Sequence, residues 1–148
     1  MILSSGNCQK NIFFSKFKTI ELPFAMNFAT FDIYACENIV NLKEIDVQKY
    51  LFSENDNFLT TKLKQNLNKN AYFDYTPVGK IFNKNYRIIL YYRNYKTISD
   101  DIYIELMLCL FDSKLNLLQT LSLSKFDTQL GIYSLCKINE DCEINIIT

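Results

Sequence analysis

The chain has 148 residues, of which 49% are hydrophobic, 15% aromatic and 22% charged, a balance that predicts one globular domain with a real core and excludes two ordinary ones. It has no His, no Trp, three Gly (Gly6, Gly79, Gly131) and two Pro (Pro23, Pro77), so histidine-based triads and metal sites within the chain are excluded, as are glycine-rich phosphate or dinucleotide loops. Formal net charge is zero, yet residues 57–99 hold eight basic residues and one acidic, against five and seven in residues 1–56 and three and eight in residues 100–148. This basic middle between acidic flanks fits opposite charges paired across neighbouring strands, or a dipolar surface for a charged partner.

Residues 1–11 read as a flexible tail and residues 12–148 as a single β-rich domain. No apolar run approaches the roughly 20 residues that a membrane-spanning helix needs. The start, Met1 to Cys8, lacks the basic opening and apolar region of a signal peptide. It looks instead like the stub left after an export signal is removed, with any lipid anchor expected upstream of residue 1. Phe17–Leu22 alternates and stops at Pro23, as an edge strand or extended arm does. Phe28–Ala35 alternates again, as a strand. Asp46 is a fair N-cap for a short helix with Val47, Tyr50 and Leu51 on one face. The run Ser53 to Asn57 breaks that helix, and Leu59, Leu63 and Leu67 mark a second, amphipathic one.

From residue 71 the pattern is strand after strand. Ala71–Phe82 ends in an Asn-Lys-Asn turn at 83–85. Tyr86–Tyr95 is strongly β by composition. Asp101–Phe111, apolar at nearly every position, predicts a central strand covered on both faces. A turn from Asp112 leads to Leu115–Ser124, with Leu117, Gln119, Leu121 and Leu123 on one parity. Leu130–Ile138 follows, then a tight turn at 139–141 and Cys142–Thr148. Gaps this short cannot hold crossover helices, so the fold class is mainly β (α+β): an antiparallel meander of about six strands with one or two N-terminal helices.

Five cysteines leave at least one thiol unpaired within the chain. Cys136 and Cys142 flank the last turn and are candidates for a disulfide across it in an oxidising compartment. No Cys-x-x-Cys spacing, calcium-loop spacing or other metal motif occurs, and no cofactor is implied. On Tyr86–Lys96, Arg87, Ile89, Tyr91, Arg93 and Tyr95 share one parity and hence one face. Two Arg and two Tyr on one face have the chemistry of a recognition surface, or of a solvated face covering the sheet. Glu140, Asp141 and Glu143 form an acidic hairpin that could serve as the complementary lobe.

Gly-Lys-Ile (79–81), Ile-Ile-Leu-Tyr-Tyr (88–92), Leu-Phe-Asp (110–112), Leu-Leu-Gln-Thr-Leu-Ser-Leu (117–123) and the stretch 134–146 occur in an order that resembles a broad group of secreted or lipoprotein-type β-meander proteins of Gram-negative bacteria. That group is uncharacterised, and some of its members are immunity-protein-like. Leu-Pro-Phe (22–24) and Asp-Val-Gln-Lys-Tyr-Leu (46–51) suit it too. Leu115 departs from it, standing where glycine is common in the turn after Phe-Asp. The resemblance implies a periplasmic or outer-membrane-anchored location and binding rather than catalysis. The partner would be a protein such as a secreted toxin or effector. Nucleic acid is not expected, and a membrane only through an upstream lipid anchor. The alternative is a small-molecule or glycan binder with an aromatic concavity lined by Tyr72, Tyr75, Tyr92 and Tyr103.

Overall fold

Ten elements build the structure, a computed structural model that describes residues 5–25, 41–56, 73–85, 87–96, 102–127 and 130–147. In chain order they are α1 (Ser5–Phe14), β1 (Phe24–Ala25), α2 (Glu44–Tyr50), β2 (Phe73–Phe82), β3 (Arg87–Lys96), β4 (Ile102–Phe111), β5 (Leu117–Asp127), β6 (Ile132–Tyr133), β7 (Leu135–Ile138) and β8 (Ile144–Ile147). Strands β2 to β6 form a five-stranded sheet in sequence order, and β1, β7 and β8 form a second sheet in the order β1-β7-β8. Every pairing between these strands is antiparallel. The expected mainly-β meander is therefore present, but its C-terminal part leaves the long sheet and folds over it. The strand expected over 28–35 and the Leu59–Leu67 helix lie outside the described residues.

The expected strand 130–138 divides at Ser134. Its backbone N–H donates to the Lys125 carbonyl at 3.0 Å, and its hydroxyl accepts the Lys125 N–H at 2.7 Å. A side-chain hydroxyl thus stands in for a ladder bond where the chain changes sheets. Residues 5–11, expected as a flexible tail, belong to α1. The C-terminal turn of α1 is anchored because Phe13 and Phe14 are buried, each such ring contributing about 1.5–3 kcal/mol on leaving water. α2 is N-capped at Lys43 rather than Asp46. Asp46 sits in its first turn, 3.3 Å from Lys16 Nζ, where a carboxylate complements the helix dipole.

Two cores lie on opposite faces of the long sheet. One is aromatic: Phe13, Phe14 and Phe17, with Val47 and Leu51, pack on Phe73, Tyr75, Ile89, Tyr91, Met107, Cys109 and Phe111. The other is aliphatic, joining Ile88, Leu90, Leu106, Leu108 and Leu123 to Cys136 and Ile138 of the second sheet. β4 feeds both cores, as its continuous apolar run predicts. The single parity expected for β5 fails because the β4–β5 register shifts between Leu106 and Met107 and between Leu110 and Phe111. Each bulge turns the following residues to the other face. Leu117 therefore packs on the aromatic core and Leu123 in the aliphatic one.

Gly79 is required where residues 18–20 run parallel alongside β2. Lys80 N–H donates to the Lys18 carbonyl at 2.8 Å and Ile20 N–H to the Lys80 carbonyl at 2.9 Å. A Cβ on Gly79 would run into the Ile20 side chain and lie 2.9 Å from the Lys18 carbonyl oxygen.

Candidate functional site

The shared face expected on β3 exists, but it is an inner face. Tyr91 is fully buried under the helices in the aromatic core. The Arg93 side chain is 11% exposed and ion-paired with Glu105, its cross-strand neighbour on β4. Arg93 Nε donates to Glu105 Oε2 at 3.0 Å. Lys125, opposite Glu105 on β5, places Nζ 3.6 Å from Oε1 of the same carboxylate. A three-strand row, Arg93–Glu105–Lys125, thus crosses the sheet. Burial alone would raise the Glu105 carboxyl, but the Arg93 charge, the Ser122 hydroxyl and the Lys125 charge hold it below the usual carboxylate value. Burial likewise disfavours the Arg93 cation, and Glu105 more than restores it. The Tyr/Arg recognition surface is therefore corrected: Tyr91 and Arg93 are interior groups, because two helices cover that side of the sheet.

The remaining Tyr and Arg positions do not restore it. Arg87, half-buried at the other end of the strand, lies 5.0 Å over the Phe82 ring. Six residues separate it from Arg93, about 20 Å along a strand. Tyr95 pairs in the backbone ladder with Phe73 and Tyr103, and its side chain lies outside the described residues. The aromatic concavity does not assemble either. Tyr75 is in the aromatic core, whereas Tyr92 packs on the aliphatic core of the opposite face. Tyr103 is half-buried and Tyr72 lies outside the described residues.

The interior polar groups are poorly suited to chemistry. The Tyr75 and Tyr91 hydroxyls and Thr120 Oγ1 are buried without hydrogen-bond partners. Burial pushes both phenols above their ordinary value, and raises the Cys109 thiol too. Cys109 Sγ donates to the Leu51 carbonyl at 3.3 Å. Cys136 is raised to about 11 by burial, which leaves almost no thiolate at neutral pH. Cys136 and Cys142 are both free thiols, so the candidate bridge is absent. The register explains this: Cys136 faces Ile146 across the ladder, while Cys142 sits in the turn.

What stays exposed is the β7–β8 hairpin. Glu140, Asp141 and Glu143 are all exposed at its tip, and no ion pair joins them to a cation among the described residues. The tip is nonetheless tightly organised. Asn139 Oδ1 accepts the backbone N–H groups of Asp141 at 3.0 Å and Glu143 at 2.8 Å, and Asn139 Nδ2 donates to the Glu143 carboxylate at 2.8 Å. Cys142 takes the left-handed conformation at φ 64°. The β4–β5 turn is built in the same way. Asp112 Oδ1 accepts from Lys114 N–H and Asn116 N–H, both at 2.8 Å, and Leu115 also sits at φ 64°. Each is a three-residue loop closed by a bulge whose left-handed residue is usually Gly. Here each left-handed residue packs on a core, Leu115 on the aromatic one and Cys142 on the aliphatic one, which offsets the backbone cost of about 1–2 kcal/mol.

Two signals in the sequence were available and missed. Asx residues open both turns at the same offset, in Asp112-Ser-Lys-Leu-Asn and Asn139-Glu-Asp-Cys-Glu. Ser53 and Asp56 form a reciprocal cap: Ser53 N–H donates to Asp56 Oδ2 at 2.8 Å and Asp56 N–H to Ser53 Oγ at 3.1 Å. The run from Ser53 that ends α2 is thus also the start of a helical turn at residues 54–56. No protein-family model, curated protein or solved structure matches this chain.

Proposed function

We propose that the chain is a non-catalytic, extracytoplasmic protein-binding domain of the immunity or inhibitor type, periplasmic or held at the outer membrane through an upstream lipid anchor, that neutralises a secreted toxin or effector. The observation that carries the binding reading is the acidic hairpin. Three exposed carboxylates, joined to no cation by an ion pair among the described residues, project from a turn whose backbone at Asp141 and Glu143, and whose Glu143 carboxylate, Asn139 holds. A rigid group of one sign loses little freedom on binding and steers an oppositely charged partner. The extracytoplasmic setting and the toxin class are carried over from what the sequence resemblance implies and are part of the proposal. Buried, protonated thiols at Cys109 and Cys136 suit a binding role better than nucleophilic catalysis.

The test is capture of secreted proteins from the producing organism with the wild-type chain and with the double variant Glu140→Lys/Asp141→Lys. Both residues are exposed, so the fold should be unaffected. A captured partner whose affinity falls at least about tenfold in the variant, and falls with salt in the wild type, supports the reading. An affinity indifferent to both removes it.

A further inference from the structure

We infer that the outer edge of β8 receives an extended segment of the protein partner, apolar along its length and basic at its C-terminal end. This deepens the binding reading above and rests on it. The edges of the two sheets are treated differently. β2 is closed by its own chain through the Lys18–Lys80–Ile20 bonds and a 2.7 Å bond from Leu42 N–H to the Tyr75 carbonyl. β6 is only two residues long. Residues 117–123 of β5 pair with β4, and on their other side no described strand adds to the ladder, but two bulges kink that edge away from a flat ladder. β8 carries none of these devices. It reads Ile-Asn-Ile-Ile, without proline, charge or bulge, and pairs with β7 alone among the described residues.

The register fixes which groups are open. Asn139 N–H donates to the Glu143 carbonyl at 3.0 Å, and hydrogen-bonded and non-bonded pairs alternate along an antiparallel ladder. Asn145 and Ile147 therefore turn their backbone groups to β7, and Ile144 and Ile146 turn theirs outward. Beside these open groups the Ile146 and Ile147 residues are 50% and 63% exposed. An added strand gains backbone bonds and apolar contact together. An antiparallel partner ends at the hairpin tip, so its last residues meet Glu140, Asp141 and Glu143. A second copy of this chain fits less well, because β8 has no basic residue to offer those carboxylates.

The test uses the full chain and a blocked synthetic peptide of alternating Val and Thr that ends in Lys-Arg-Lys, with the sequence-reversed peptide as control. Saturable binding of the forward peptide is expected, at least about tenfold weaker for the reversed peptide and for Ile146→Pro. Proline at 146 removes only an outward N–H and leaves the β7 ladder bonds in place. Ile146→Lys, a charge on the same edge, is the second variant, and circular dichroism reports whether each variant folds. Absence of peptide binding, or equal binding by both variants, overturns the inference. So does a wild-type dimer that Ile146→Pro makes monomeric without peptide binding, since the edge would then serve a second copy. The capture experiment with Glu140→Lys/Asp141→Lys is read separately, so loss of the edge inference and loss of the binding reading give different results.

Discussion

The Tyr/Arg stripe of β3 and the acidic hairpin between β7 and β8 both carry the residue types of an interaction surface, and the structure treats them oppositely. Within the stripe Tyr91 packs in the core that α1 and α2 cover, and the charge of Arg93 is consumed by Glu105. The hairpin projects its carboxylates into solvent and spends its hydrogen bonds on its own turn. Side-chain parity decides which residues share a face. Whether that face is wet depends on how many elements remain to cover it. The long sheet has a covering layer on each side, helices on one and the second sheet on the other, so charge on its central strands must find a partner within the sheet.

The contrast can be broken most forcefully at its interior end. Glu105→Ala leaves Arg93 a buried, unpaired cation and should cost about 3–5 kcal/mol in urea unfolding; a loss under 1 kcal/mol would mean that the stripe is hydrated. Acid provides a second route. The folded Glu105 carboxyl lies below its unfolded value of about 4.3, so its stabilisation is complete above about pH 5 and is lost as pH falls through the folded value. The stability gap between wild type and Glu105→Gln should therefore narrow in acid, and a gap that widens contradicts the pairing. Tyr91→Phe removes a buried hydroxyl that has no partner and should leave stability unchanged or raise it by up to about 1 kcal/mol. The smallest effect on stability belongs to the hairpin: Glu140→Lys/Asp141→Lys should shift it by less than about 0.5 kcal/mol while weakening partner binding at least about tenfold.

Much of this fold was legible in the sequence. The long strands, their short polar turns and the doubly covered β4 follow from alternation and apolar runs. The rest depended on events that a repeat of two cannot signal. Bulges opposite Met107 and Phe111 split one apparent leucine stripe between two cores. Ser134 moves the chain from one sheet to the other. Whether Glu105 neutralises the Tyr/Arg face could not be read without the register, which pairs it with Arg93. At the hairpin, composition located the carboxylates, while the open edge beside them emerged only once β7 was seen to leave the long sheet.

Amide hydrogen exchange along β8 tests most directly whether that end of the molecule is open for a partner. Slow exchange at Asn145 and Ile147 with fast exchange at Ile144 and Ile146 is the predicted pattern, and binding of the Lys-Arg-Lys peptide should slow Ile144 and Ile146. Uniform protection across all four amides in the free monomer would contradict an open edge.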